Sequence, residues 1–354
     1  MKTSISEIQT FLRCRRQWDI GSHQRQNLTV KQGLPSKAFH IGSMVHRILE
    51  LKAKDIKMSV INNILANDKR QLENDYRKLV GAGWSPEERQ EIDDREELVL
   101  DMIANYFIHY GNESLGKDYE YKEAELTFQV RIPKTMNYLI GTIDGIAIHK
   151  RSGNVWLVEH KTFGQSAAKL EDLRMNYQML AYCWAARSLL GYSVEGVIYD
   201  GLAKKVPGAP EILKSGKGLS KKWIITTAEH YRHEIYKYGF NEEDYEDILT
   251  RLEARDRSDD NGFFVRHKIR YSEDELNQFE SEIVSITREM ASKHVNIYPT
   301  VPWTGCWDCS FSELCTAIQT CADTQWILSE KFQQSKGWKT TRTVPVRSLV
   351  IEEQ

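Results

Sequence analysis

Two short stretches place charged residues inside segments that otherwise read as strands. Gly141-Thr142-Ile143-Asp144 is followed, fifteen residues after Asp144, by Glu159-His160-Lys161. Strand side chains alternate between faces, so Glu159 and Lys161 share one face and His160 takes the other. A hairpin between the two strands would set Asp144 beside Glu159. Two carboxylates on one face repel unless a cation lies between them, and hard oxygen donors favour Mg²⁺ or Mn²⁺. Lys161 could then orient a water, help to deprotonate it, or stabilise phosphorane-like charge. The same three residues would also serve as a plain surface ion pair, which is common. The apolar run Val155-Trp156-Leu157-Val158 argues for more. It reads as a buried strand, and buried charges need partners or a metal. Glu125, one strand earlier, either adds a carboxylate to this site or is an exposed strand position.

The elements that would hold these residues are readable in outline. Ser4 and Glu7 make a capping box for a first helix with Ile5, Ile8, Phe11 and Leu12 at helical spacing. A second helix spans Gly42 to Lys54. Residues 58–110 read as charged helix, interrupted near Gly81 to Trp84 and at Pro86. Period-two alternation predicts strands over 123–132, 138–149 and 155–162, with Arg151 to Asn154 as a turn. A helix over 168–190, with Gly191 suited to its C-cap, leads to a strand over 194–203. That order fits an α/β core built on a mixed sheet with a crossover helix. Residues 204–222 read as a long loop, followed by helices near 227–239, 241–256 and 272–292. On the helix after the third strand, Gln178 and Tyr182 stand four apart and share a face. Gln178 could bond Lys161 or a phosphate; an ordinary amphipathic helix would show the same pair.

Taken in order, Gly42-x-x-x-His46, Gly141-x-x-Asp144, Glu159-x-Lys161-Thr162 and Gln178-x-x-x-Tyr182 resemble the motif set of RecB-family PD-(D/E)XK nucleases. The resemblance covers nearly the whole chain and is densest at 10–50, 120–185 and 300–316. It implies a restriction-endonuclease-like core, a mixed sheet flanked by helices. It assigns metal binding to His46, Asp144 and Glu159, catalysis to Lys161, and support to Gln178 and Tyr182. The activity it implies is a Mg²⁺- or Mn²⁺-dependent DNA exonuclease in recombination, repair or phage DNA metabolism. No G-x-x-x-x-G-K-[ST] stretch occurs, so no helicase motor is evident.

Of six cysteines, Cys306, Cys309 and Cys315 have compact, ligand-like spacing, with Cys321 the nearest fourth thiol in sequence. In a reducing compartment such a set suggests ligation more than disulfides. Iron–sulfur nucleases of the AddB type and the CRISPR-associated RecB-like type carry one cysteine before the core and three after it. The resemblance therefore implies a [4Fe–4S] cluster on Cys14, Cys306, Cys309 and Cys315. Structural zinc on the same thiolates, or unligated thiols, are the alternatives. Such a staple would close a loop of 292 residues. Pro302, Trp303, Trp307, Phe311 and Leu314 would shield it. Cys183, beside Trp184, reads as a core thiol.

The formal charge is -2, from 48 basic and 50 acidic residues. This excludes a polycation, while local basic stretches remain open to nucleic acid. Lys204, Lys205, Lys214, Lys217, Lys221 and Lys222 lie in one stretch with a single acid, Glu211. Arg266, His267, Lys268 and Arg270 follow Phe263 and Phe264, a mixture suited to phosphate contact and base stacking. Either stretch would equally be a solvated charged face. These stretches, with Thr226, Thr227 and Tyr231, also resemble phage-associated members of the family. Lys204, Lys205, Lys221, Lys222, Arg266 and Arg270 are the DNA-binding candidates, for single strands or free ends. No apolar run reaches the length of a membrane span, and the first residues lack the apolar stretch of a signal peptide, so a cytoplasmic protein is expected. The expected divisions are a helical region over 1–118 carrying Cys14 and His46, a nuclease core over 119–205, a basic and helical region over 206–298, and a cluster region with a tail over 299–354. Two other readings compete with the nuclease. One is a non-catalytic DNA-binding or assembly subunit, against which the intact Asp144, Glu159 and Lys161 argue. The other is a redox-responsive iron–sulfur protein.

Overall fold

The computed structural model describes residues 1–31, 33–111, 115, 117–164, 170–190, 194–256, 262–300 and 306–335 of the 354-residue chain. The expected helix cap at Gly191 and the shielding residues Pro302 and Trp303 lie outside the described residues. In chain order the elements are β1 (Lys2–Ser4), α1 (Ile5–Arg13), α2 (Arg15–Gly21), β2 (Leu28–Val30), α3 (Lys37–Ala53), α4 (Met58–Val80), α5 (Pro86–Tyr110), β3 (Tyr119–Arg131), β4 (Tyr138–His149), β5 (Val155–Phe163), α6 (Leu170–Arg174), α7 (Tyr177–Leu190), β6 (Val194–Ala203), α8 (Ala228–Lys237), α9 (Glu246–Asp256), β7 (Phe264–Ile269), α10 (Glu273–Met290), α11 (Ser312–Gln319), α12 (Gln325–Lys331) and β8 (Phe332–Gln334).

Local chemistry sets many of the boundaries. Ser4 caps α1, and Glu7 completes the capping box by accepting from the Ser4 amide. The interruption near residue 81 is a left-handed Gly81 that ends α4, followed by a Ser85–Glu88 capping box with Pro86 at the start of α5. The expected helix over 168–190 is two helices instead. Asn176 breaks it, its side-chain oxygen accepting from the Gln178 amide at 2.9 Å, which starts α7 afresh.

Six strands form one mixed sheet. Its path runs β1-β4-β5-β6-β7, and β3 lies along the other edge of β4. β5 and β6 are parallel and joined through α6 and α7, the crossover the sequence pattern calls for. β1 and β7 lie outside 119–205, so the sheet extends past the expected core on both sides. Helices α1, α7 and α10 bury Ile8, Phe11, Ala185, Phe279 and Ile283 against one face with Leu157, Val197 and Ile143. On the other face α3 and α5 pack Val45, Ile48, Val99 and Tyr106 with Leu202 and Phe264. Among the described residues, no helix is long and apolar enough to cross a membrane.

The pairing of β4 and β5 stops early. Its last partners toward the site are Gly145 and Val158, although β5 continues beside β6 as far as Phe163. The freed edge of β4 is taken up again only at Tyr138 to Ile140, by β1. Residues 141–144 therefore line a gap between strands, and Asp144 stands at its mouth.

Candidate metal and catalytic site

The site assembles at this gap. The His160 amide, freed from the ladder, donates to Asp144 Oδ2 at 2.8 Å. His46 Nδ1 on α3 approaches the same oxygen at 3.3 Å. Gly42 lies four residues before His46 on the same face, and a Cβ there would make ordinary contact, 3.4 Å from Thr162 Oγ1 on β5. Gly141 is tighter: a Cβ would stand 2.8 Å from Phe128 Cζ, so that ring would have to shift to admit one.

Glu125 joins from β3. The ligand atoms of His46, Glu125 and Asp144 all lie within 4.8 Å of one another. Glu125 has a φ of 59°, left-handed for a residue with a side chain, just after a bulge between Tyr121 and Glu123. Such strain persists where the surroundings demand it, typically at functional sites. The carboxylate is thus presented by an irregular strand, and the alternative of a plain exposed position does not hold.

Glu159 is 1% exposed. Apart from the Lys161 ammonium against Oε1, neither of its oxygens has a hydrogen-bond partner among the described residues. A buried carboxylate with spare lone pairs is the donor chemistry a cation requires. Burial, reinforced by the neighbouring Asp144 charge, pushes the Glu159 carboxyl above its usual range. Burial alone would also raise Asp144, but His46 outweighs it and holds that carboxyl low. Burial disfavours charge on His46 and on Lys161; Asp144 reverses this for His46 and Glu159 does so for Lys161, so both are raised. Lys161 Nζ also donates to Gln178 Oε1 at 3.0 Å, and Gln178 Nε2 donates to the Tyr182 hydroxyl at 2.9 Å. The structure thus brings together His46, Glu125, Asp144, Glu159, Lys161, Gln178 and Tyr182.

Behind the site lies a buried network that sequence reasoning missed. Asp200 on β6 is fully buried. Its Oδ2 accepts from the Tyr106 hydroxyl at 2.6 Å and faces His160 Nδ1 at 3.0 Å. Its Oδ1 accepts from Arg266 Nε at 2.8 Å and meets Nη2 at 2.7 Å. His160 Nε2 in turn lies 3.2 Å from the Tyr121 hydroxyl on β3. The His160 ring therefore ties β6 to β3 while its amide holds Asp144. The signal for Asp200 was available: an acid inside the apolar run Val197-Ile198-Tyr199.

Arg266, a DNA-binding candidate, is engaged within the protein. It is bound to Asp200 and lies over the Tyr110 ring at 3.8 Å, and its neighbours Phe263 and Phe264 are buried. One expectation is corrected here: the [4Fe–4S] cluster on Cys14, Cys306, Cys309 and Cys315, with zinc in its place. Among the described residues, the metal-ligand set that converges within 4.8 Å is the His46–Glu125–Asp144 one, and no set of cysteines does so. Four thiolates on one zinc, each at about 2.3 Å, would meet that spacing. The thiols are free and line a cavity of about 230 Å³ with Ile20 and Phe311, Arg16 Nη1 standing 3.9 Å from Cys315 Sγ. Burial raises the Cys309 thiol. Cys183 is a buried core thiol.

The remaining DNA-binding candidates differ in how free they are. Lys205 and Lys222 are exposed and Lys204 is half-buried. Lys221 is engaged by Asp247 at 3.0 Å, and Arg270 by Glu195 at 2.6 Å.

No curated protein matches the chain in sequence. Among solved structures, the crystal structure of SSO0001 is similar over 89% of this chain and 86% of that one, at 13% identity and a TM-score of 0.34. The sequence matches the PD-(D/E)XK nuclease superfamily over residues 2–316, a span that contains the strand gap and every residue gathered around it. The chain belongs to the PD-(D/E)XK nuclease superfamily.

Proposed function

We propose that the protein is a RecB-like, Mg²⁺- or Mn²⁺-dependent deoxyribonuclease, acting as an exonuclease in recombination, repair or phage DNA metabolism. The observation that carries this reading is the convergence of His46, Glu125 and Asp144 beside a buried Glu159 whose oxygens lack partners other than Lys161. These residues fit a hard divalent cation, held by one imidazole and carboxylate oxygens. When bound, the cation supplies a polarised water and charge neutralisation at the scissile phosphate.

The chain's own groups do the rest. The His160 amide fixes the Asp144 carboxylate at the gap by holding its Oδ2. Lys161 is held by two acceptors, Glu159 and Gln178, which makes it a hydrogen-bond donor aimed at developing phosphoryl charge rather than a base. Tyr182 fixes the orientation of the Gln178 amide and thereby the lysine.

The test is hydrolysis of 5′- and 3′-labelled single strands, duplexes and closed circles with Mg²⁺ or Mn²⁺, and with EDTA. Cleavage should need the metal and a free end. Lys161→Ala should lower the rate at least about 100-fold while calorimetry still detects Mn²⁺ binding. Pure wild-type protein that cuts nothing, or cutting that survives Lys161→Ala, would sink the proposal.

A further inference from the structure

The lysine-rich stretch after β6 is an ordered arm, not the irregular loop its composition suggests. It leaves the sheet beside the site: the Lys204 amide donates to the Phe163 carbonyl at 2.8 Å, at the end of the strand that carries Glu159 and Lys161. The chain then folds back on itself. The Gly208 amide donates to Ile225 O at 2.8 Å, the Ser220 amide to Glu211 O at 2.7 Å, and Ile212 bridges Leu219 in antiparallel fashion. A turn at Gly216, with φ of 69°, closes the tip. One side of this hairpin is clamped. Leu219 is buried with Tyr231, Tyr245 and Ile248. The Leu219 amide donates to the Tyr245 hydroxyl at 2.8 Å, and the Tyr231 hydroxyl donates to Ser220 O at 3.0 Å.

The other side faces solvent, and it carries an arrangement that packing does not explain. Trp223 is 57% exposed, beside exposed Lys222, with the Arg255 guanidinium 5.5 Å from its ring centre. Lys205, Lys214 and Lys217 are exposed along the same arm, which carries one acid, Glu211. A large aromatic left in water on a rigid hairpin forgoes the burial that normally places it. Set among cations, it has the make-up of a base-stacking platform.

We propose that this arm is a single-strand-binding element. Trp223 stacks on an unpaired base, while Lys214, Lys217 and Lys222 meet the adjoining phosphates. Single-stranded DNA is favoured over duplex because a duplex keeps its base faces stacked and offers the ring nothing to cover. The five residue steps from Ala203 to Gly208 span at most about 18 Å, so the base of the arm stays near the end of β5. The inference rests on the nuclease reading for its substrate, and adds that the strand reaching the site is unpaired.

The experiment is fluorescence anisotropy of a labelled twelve-nucleotide oligo-dT and of a twelve-base-pair duplex, with the full chain in EDTA so that cleavage plays no part. The wild type should prefer oligo-dT. Trp223→Ala should weaken oligo-dT binding roughly 5- to 150-fold and Trp223→Phe much less, with circular dichroism unchanged in both. Changing Lys214, Lys217 and Lys222 together to Gln should flatten the dependence of log Kd on log salt by about 2. Equal affinity for strand and duplex in the wild type would overturn the proposal. So would an oligo-dT affinity untouched by Trp223→Ala, the result expected if the patch serves a protein partner. Hydrolysis of labelled DNA strands and duplexes by the wild type with Mg²⁺ or Mn²⁺ is read separately. An inert wild type whose oligo-dT binding depends on Trp223 would end the nuclease reading and leave the arm standing.

Discussion

Replacing Asp200 by Asn removes one charge and almost no volume from the network behind the site, so its consequences can be worked from geometry. The carboxylate is fully buried and satisfies four donors on two oxygens: Arg266 Nε and Nη2 on Oδ1, the Tyr106 hydroxyl and the His160 ring on Oδ2. An amide keeps one of those oxygens. Its NH₂ must then face one of the two donor pairs, and the Arg266 guanidinium loses its counter-charge. Removing one partner of a buried pair costs about 3–5 kcal/mol, a large share of the roughly 5–15 kcal/mol that holds a domain. Urea unfolding followed by far-ultraviolet circular dichroism measures it. Arg266→Met should cost a similar amount, and the double variant should cost clearly less than the sum. A loss below about 1 kcal/mol in both single variants would refute the account, and would restore Arg266 as a surface cation. The network also predicts a pH signature. Burial would raise the Asp200 carboxyl, yet Arg266 and His160 outweigh it and hold it at about 2. A group held below its unfolded value, about 3.9, contributes stability that is complete above that value and disappears as pH falls through the folded one. The wild type should therefore lose about 2–3 kcal/mol between roughly pH 5 and pH 1 that Asp200→Asn does not lose.

Mn²⁺ at about 100 times its dissociation constant should stabilise the wild type by about 2.7 kcal/mol. Asp144→Asn, which removes a charge shared by His46 and the His160 amide, should abolish that gain in a melting experiment; a full metal-induced shift in this variant would count against the site. Gly141→Ala would force its Cβ to 2.8 Å from Phe128 Cζ and should cost about 1–3 kcal/mol. A melting temperature equal to the wild type would mean that the ring above Gly141 yields freely.

How much of this could be read from the chain depends on the distance over which each feature is decided. The strands at 138–149 and 194–203 emerge at their observed bounds because alternation and turn residues are local. Asp144, Glu159 and Lys161 emerge because strand alternation fixes their faces, whereas His46 emerges only through the motif resemblance and Glu125 only as one of two alternatives. β1 does not emerge, since three residues carry no period and its only reason is a pairing with Tyr138 to Ile140. β7 does not emerge either, for a related cause. Phe264 and Arg266 alternate on a strand, and an aromatic–cation alternation looks the same whether a helix covers it or not; here Tyr106 and Tyr110 of α5 cover it. The cysteines fail in the opposite sense: compact spacing along the chain brings them to one cavity but, among the described residues, does not bring a set of Sγ atoms within 4.8 Å of one another. One rule, an acid inside an apolar run, selects both Glu159 and Asp200. What separates their roles is the sign of the charge each meets across the gap. Asp200 meets Arg266 and is satisfied within the protein. Glu159 has Lys161 on one oxygen but Asp144 nearby, and like charge beside it raises its carboxyl. That imbalance is what an added cation would relieve. It follows that removing the charge of Asp200 strips Arg266 of its partner, whereas removing that of Glu159 strips Lys161 of one acceptor but also relieves the repulsion with Asp144. The sequence motif marks Glu159 and passes over Asp200, and the fold adds the charge that each of them meets.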